Sequence, residues 1–154
     1  MKIRDAAEDD FKEIAKLSLK LAEYERPFDK NIKLSSKRER DTVAWIKEKL
    51  SKEDGAKLIV AVEDDKVLGY AFGWIDKHDK RFYKYDIGYF SDCFVDEKYR
   101  GEDVGEKLAK AMVKWFKSKG LKEVRLAVYF DNPAKDFWDK LGFKEFYENR
   151  KLVI

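Results

Sequence analysis

Residues 93–112 read CFVDEKYRGEDVGEKLAKAM, and the pattern changes halfway along. The residues before it, with its own first three, form YDIGYFSDCFV (85–95), a long aromatic strand that ends at Val95. After it, Val104, Leu108, Ala111, Met112 and Trp115 recur at helical spacing. Between strand and helix lies a turn containing Arg100, Gly101 and Gly105. Glycine lets a backbone approach a ligand closely. The first amides of a helix point outward without acceptors, at the positive end of its dipole. Together these features bind a pyrophosphate. Neither GxxxxGK[ST] nor GxGxxG is present, so the loop is not one of the familiar nucleotide signatures.

Working outward, KIRDA (2–6) reads as a short first strand. Phe11, Ile14, Ala15, Leu17, Ser18, Leu21 and Ala22 follow helical spacing after an acidic start (Glu8, Asp9, Asp10), and Pro27 stops the helix. Residues 28–35 read as a loop. Ser36 with Glu39 reads as a capping box, and Val43, Ile46 and Leu50 give a second apolar stripe. KLIVAVE (57–63), a tight Asp64-Asp65-Lys66 turn and VLGYAFGWI (67–75) form a hairpin, and a charged loop then holds His78. Beyond the helix that Gly120 ends, VRLAVYF (124–130) is an apolar strand. Asn132 as cap, Pro133 at the first helical position and Gly142 after Leu141 frame a short fourth helix. FKEFYENRKLVI (143–154) reads as a last strand. The order β-α-α-β-β-β-α-β-α-β predicts an α/β fold, a mixed sheet with helices on its faces. No linker or repeat divides the chain, so residues 1–154 form a single domain.

Composition removes several function classes. The 154 residues can bury a core without disulfides or metals, and 44% hydrophobic residues exclude a disordered chain despite 42% charged ones. Thirty-four Lys and Arg face 31 Asp and Glu without clustering, which gives no case for nucleic-acid binding. One His and one Cys leave no Cys/His zinc site and make a His-dependent triad improbable, so no metal is expected. There is no apolar leader and no run near the ~18 residues of a membrane span, so a cytoplasmic domain away from membranes is expected. The absence of Gln and the abundance of Lys and Glu point to a thermophilic source.

Val95-x-x-x-Tyr99-Arg100-Gly101-x-x-Val104-Gly105, followed by NPAKDFWDKLGF (132–143), resembles the Gcn5-related N-acetyltransferases (GNAT). The first block is similar to their R-G-x-G-x-G/A loop and the second to their N-x-x-A…FY-x-K-L-G-F block. Leu21-Ala22-Glu23-Tyr24-Glu25 and Tyr89-Phe90-Ser91-Asp92-Cys93-Phe94-Val95 resemble segments of the spermidine/spermine (diamine) acetyltransferases, so the likeness spans nearly the whole chain. It implies the GNAT fold, acetyl-CoA as cosubstrate, a small amine acceptor (polyamine, diamine or amino-acid-like) and a homodimer. Cys93, Phe94 and Val95 would lie along the pantetheine arm and thioester. Arg100, Gly101, Glu102, Asp103, Val104, Gly105 and Glu106 would hold the pyrophosphate, and Asn132 belongs to the same cofactor site. Tyr24, Glu25, Ser91 and Asp92 would meet the amine, as would acidic residues around 28–41. Catalysis would fall to Asp92 as base through water, with Trp138 at the position of the family's acid.

Three positions depart from the family pattern. Asp103 replaces the middle Gly of the loop; Asp tolerates unusual backbone angles and could cap the helix, but it puts a carboxylate near the expected pyrophosphate. Ser91 replaces a Glu. Trp138 replaces the acid Tyr, and an indole N–H donates a hydrogen bond without being a practical acid. Tyr129 and Tyr147 are the candidate substitutes. On pattern alone, Tyr24 covers the core edge, Glu25 is a solvated charge, Cys93 is a small buried hydrophobe and Trp138 packs in the core. Strand alternation puts Ser91 and Asp92 on opposite faces, one of them toward an interior or cleft. The competing expectations are acetylation of a protein or peptide N-terminus, and a binding module that keeps the fold with weakened chemistry.

Overall fold

The computed structural model describes residues 1–52 and 55–154. Its elements are β1 (Lys2–Asp5), α1 (Phe11–Glu25), α2 (Arg38–Leu50), β2 (Ala56–Glu63), β3 (Lys66–Asp76), β4 (Ile87–Val95), α3 (Val104–Ser118), β5 (Val124–Arg125) and α4 (Ala134–Lys140). Single 3₁₀ turns at Glu8–Asp10 and Glu97–Tyr99 lead into α1 and the loop before α3. One sheet runs β1-β2-β3-β4-β5, antiparallel up to β4 and parallel between β4 and β5. The β2–β3 turn places Asp64 and Asp65 at φ 47° and 61°, as a two-residue hairpin of matching twist requires.

The two faces carry separate cores. Ile14 and Leu17 of α1 and Ile46 of α2 pack on Tyr70, Phe72 and Phe94. On the other face Leu108, Met112 and Phe116 of α3 pack on Ala71 and Phe90. The contact is closest at Gly88, where an added Cβ would meet the Phe116 ring at 2.6–2.9 Å.

A bulge in β4 decides which side chains reach which face. Phe72 pairs with Asp92 and Gly73 with Phe90, so Ser91 is the extra residue. Plain alternation would put Phe90 and Asp92 on one side. With the bulge, Phe90 packs under α3 while Asp92 and Phe94 stand on the α1 face beside Phe72 and Tyr70.

The predicted elements form in the predicted order, with three corrections. The last strand is absent: residues 144–154 are exposed, with no strand partner among the described residues. Their amides find no second ladder because β5 pairs over two residues, Val124–Arg125, rather than the expected 124–130. The Ser36/Glu39 capping box does not form. Arg38 N–H donates to the Ser35 carbonyl (3.1 Å), so Lys37 becomes the residue before α2 and the frame shifts by one. At α4 the capping chemistry holds: Asn132 Oδ1 accepts from the Ala134 amide at 2.9 Å.

No helix among the described residues is long and apolar enough to cross a membrane. No group of three or more His, Cys, Asp and Glu among them is placed to hold a metal.

Candidate active site

The loop joining β4 to α3 has the shape its sequence asks for. Gly101 sits at φ 88° with nothing within 4 Å of a would-be Cβ. Asp103 sits at φ 59°, ψ 11°, immediately before α3. Its backbone takes the left-handed angles expected, but its side chain makes no capping hydrogen bond, so the capping expectation is not met. The first helical bond runs from Lys107 N–H to the Asp103 carbonyl (3.0 Å), which leaves the amides of Val104, Gly105 and Glu106 without intrahelical acceptors. Arg100 Nε donates to the Val95 carbonyl (3.1 Å) and its guanidinium lies over the Phe94 ring, pinning the loop to the end of β4. Glu106 turns away to pair with Lys110, which lowers its pKa. Glu102 is exposed. Free amides, an open glycine and the positive end of a 15-residue helix fit the pyrophosphate of acetyl-CoA.

On the α1 face, Asp92 is half-buried and takes hydrogen bonds from Ser91 Oγ (2.6 Å) and Tyr70 Oη (2.9 Å). Tyr70 is almost wholly buried, and Ser18 of α1 lies near enough to its oxygen to oppose the upward push that burial gives its pKa. Burial pushes the Asp92 carboxyl upward, against the two hydrogen bonds and Arg38. Glu25, at the end of α1, is also half-buried. Burial first, then the charge of Asp92, pushes its pKa to about 7, with Arg38 opposing. A carboxylate titrating there exchanges a proton near neutral pH. The bulge thus lets Ser91 serve Asp92 rather than face away from it.

The rim is aromatic. Tyr24 Oη donates to Asn132 Oδ1 (3.2 Å) and its ring meets Phe28 edge-on. Phe28 stacks on Tyr129, whose hydroxyl is 3.4 Å from Asp29 Oδ2. Burial, followed by Asp29 and Glu25, raises the Tyr129 pKa. Tyr24 and Glu25 therefore meet Tyr129 and Asn132, far along the chain, at one edge.

Other predicted residues lie away from this rim, Cys93 among them beside the start of α3. Trp138 packs edge-on against Phe90, Phe137 and Phe143 on the α3 side, a packing position with no described polar partner for its indole. Cys93 lies on the α3 side with Sγ 3.8 Å from the Gly105 carbonyl, and burial followed by Asp92 pushes its thiol up to about 12. It is a small packing residue, not a thiolate. Tyr147 is exposed in the terminal segment beside Phe146. Sequence reasoning missed Ser18, Tyr70, Phe28 and Arg38. Ser18 carried a signal, a hydroxyl within the apolar stripe of α1.

The model of the acetyltransferase (GNAT) family matches residues 18–143. An uncharacterized N-acetyltransferase of Methanocaldococcus jannaschii is 29% identical over 147 residues, 93% of this chain and 60% of that protein. N-alpha-acetyltransferase 30 of Schizosaccharomyces pombe is 29% identical over 85 residues, 54% of this chain and 55% of that protein. The alignments thus span a little over half the length of the curated relatives. A crystal structure of a mutant Bacillus halodurans protein superposes with a TM-score of 0.82 at 23% identity, covering 100% of this chain and 99% of that one, a likeness of fold. With 126 of its residues inside the family match, this chain belongs to the acetyltransferase (GNAT) family.

Proposed function

We propose that the protein transfers the acetyl group of acetyl-CoA to the nitrogen of a small amine, directly between two substrates held together. One observation carries this reading. The strand that holds Asp92 on the α1 face runs, eight residues later, into the Arg100–Gly105 loop at the start of α3. An acceptor held at Asp92 and a pyrophosphate held at the loop would thereby lie along one continuous stretch of chain. Much of the rate then comes from placing the reactants together.

Acetyl-CoA supplies the thioester when bound. The free amides of α3 and the Arg100 tether hold its phosphates. Asp92 attracts the acceptor ammonium, and Glu25, titrating near 7, takes the proton that makes the nitrogen nucleophilic. The placement of Cys93 fits a route without an enzyme-bound acyl group.

Acetylation of a peptide N-terminus is the second reading, favoured by the identity to the Schizosaccharomyces pombe protein. Calorimetry of acetyl-CoA binding, with Asp103→Gly alongside, tests the shared part. Micromolar binding by the wild type supports the reading. No binding by the wild type, restored by Gly at 103, overturns it. Release of CoA thiol with a panel of polyamines, amino acids and peptides then separates the two acceptors.

A further inference from the structure

The chain exposes 10850 Å² of surface. A compact monomer of its 18.3 kDa exposes about 8,100 Å², so the excess is about 2,700 Å². Two copies that each hid half of that excess would bury an interface of the size permanent dimers use, roughly 2,000–5,000 Å² in total.

Residues 144–154 are all exposed and carry much of the apolar part of that surface. Leu152 and Val153 are 85% and 86% exposed, so almost none of either side chain is covered. The segment is anchored only at its start. Phe143 packs against the α3 core, Glu145 pairs with Lys135 at 3.2 Å, and the Arg125 guanidinium lies 4.5 Å from the centre of the Phe146 ring. Beyond Tyr147 the one described polar contact joins Arg150 to Glu148, within the segment itself. Residues 148–154 can reach about 24 Å when extended, with Leu152, Val153 and Ile154 at the tip left in water.

A matching edge stands open on the sheet. β5 is its outer strand, and the chain runs on from Arg125 through residues 126–130. Leu126 packs on the α3 core and Tyr129 stacks on Phe28, so both faces of this stretch are held in place. Its edge is not: no backbone hydrogen bond among the described residues involves residues 126–128. A sheet edge without a partner is a template for another backbone. The segment does not use its own edge, since it passes Arg125 by a side-chain contact without a backbone hydrogen bond to β5. Each copy thus offers one open edge and one unpaired apolar segment. Two copies related by a two-fold axis satisfy both at once, and the pair closes.

We infer that two copies of this chain exchange these segments, residues 148–154 of each lying as an added strand beside residues 126–130 of the other. Tyr129 lies in the paired stretch and Asn132 just beyond it, so the exchange also steadies the aromatic rim. The inference does not depend on the acetyl-transfer reading.

Sedimentation equilibrium of the full chain at micromolar concentration tests it. The wild type is expected at twice 18.3 kDa, and Leu152→Asp/Val153→Asp at 18.3 kDa. Both positions are exposed in the single chain, so the variant keeps its folded core. The pairing itself is read by mixing two chains in a Cys93→Ala background, one carrying Ala127→Cys and the other Val153→Cys, and adding a short bifunctional maleimide. A covalent dimer of the two kinds of chain is expected. A wild type that sediments as a monomer overturns the inference, and the wild-type mass decides this even where a variant does not fold. So does a dimer that survives Leu152→Asp/Val153→Asp, or one in which the two cysteines do not cross-link between chains. Release of CoA thiol is measured separately, so failure of acetyl transfer leaves the dimer standing and a monomer leaves the transfer standing.

Discussion

Replacing Tyr70 by Phe removes one hydroxyl from the centre of the site and leaves the ring in place. The residue is 1% exposed, so no water replaces the lost group. The hydroxyl donates to Asp92 Oδ2 at 2.9 Å, and Asp92 keeps only the Ser91 bond of 2.6 Å. A hydrogen bond to an ionised acceptor is worth about 1.5–3 kcal/mol and one between neutral groups about 0.5–1.5. The expected cost is therefore about 2 kcal/mol where Asp92 is ionised and about 1 where it is protonated. The difference of about 1 kcal/mol corresponds to a further upward shift of somewhat under one pKa unit. The sign follows from burial. Asp92 already titrates above its unfolded value, so its folded state is disfavoured progressively as pH rises past that value. Removing a donor to the charged form enlarges the penalty, so the gap between variant and wild type widens with pH. Urea unfolding from pH 4 to 9, with the m-value unchanged, measures this directly. A loss that is the same at every pH, or below about 0.5 kcal/mol throughout, refutes the reasoning, because the Tyr70 hydroxyl would then not be sustaining the Asp92 charge.

Gly88→Ala drives a methyl into the Phe116 ring, three of whose atoms lie within 2.9 Å. It costs about 2–3 kcal/mol and lowers the melting temperature by roughly 4–10 °C; a melt within about 1 °C of wild type refutes the close approach of α3 and β4. Asn132→Ala removes both the cap on the Ala134 amide and the acceptor of Tyr24, and chemical denaturation records a loss of about 1 kcal/mol that Asn132→Asp largely avoids. Glu25→Gln tests the proton acceptor: wild-type acetyl transfer rises with pH through about 7, and the variant loses that limb. The same variant gains stability over wild type as pH rises from about 4.5 toward 7, because it no longer carries a buried carboxylate that must ionise; a pH-independent difference refutes the burial of Glu25.

The elements were legible because periodicity and punctuation are local. Apolar spacing located the cores of α1, α2 and α3, and Asp64-Asp65, Gly120 and Gly142 each adopt the positive φ that ends an element. The shape of the loop before α3 was legible for the same reason: Gly101, Asp103 and the start of α3 lie within one short stretch of chain. Trp138 shows where such reading stops. Its place in a motif raised a chemical role, while its aromatic neighbours, set by the packing of α4 against β4, describe a partly buried packing side chain. The terminal strand shows the same limit, since strand-like composition does not supply a partner.

The sequence by itself determined the family, the order of elements and the loop at the start of α3, because each depends on residues close together in the chain. Only the tertiary structure decided the cluster around Asp92. The extra residue at Ser91 turned Asp92 onto the face of Tyr70, and the end of α1 met residues 129–132 at one rim. The same packing enclosed Arg38 Nε without a partner. Register, burial and long-range approach set these features, and hence the charge and pKa of the groups that would meet a substrate. None of them has a period that a linear sequence displays.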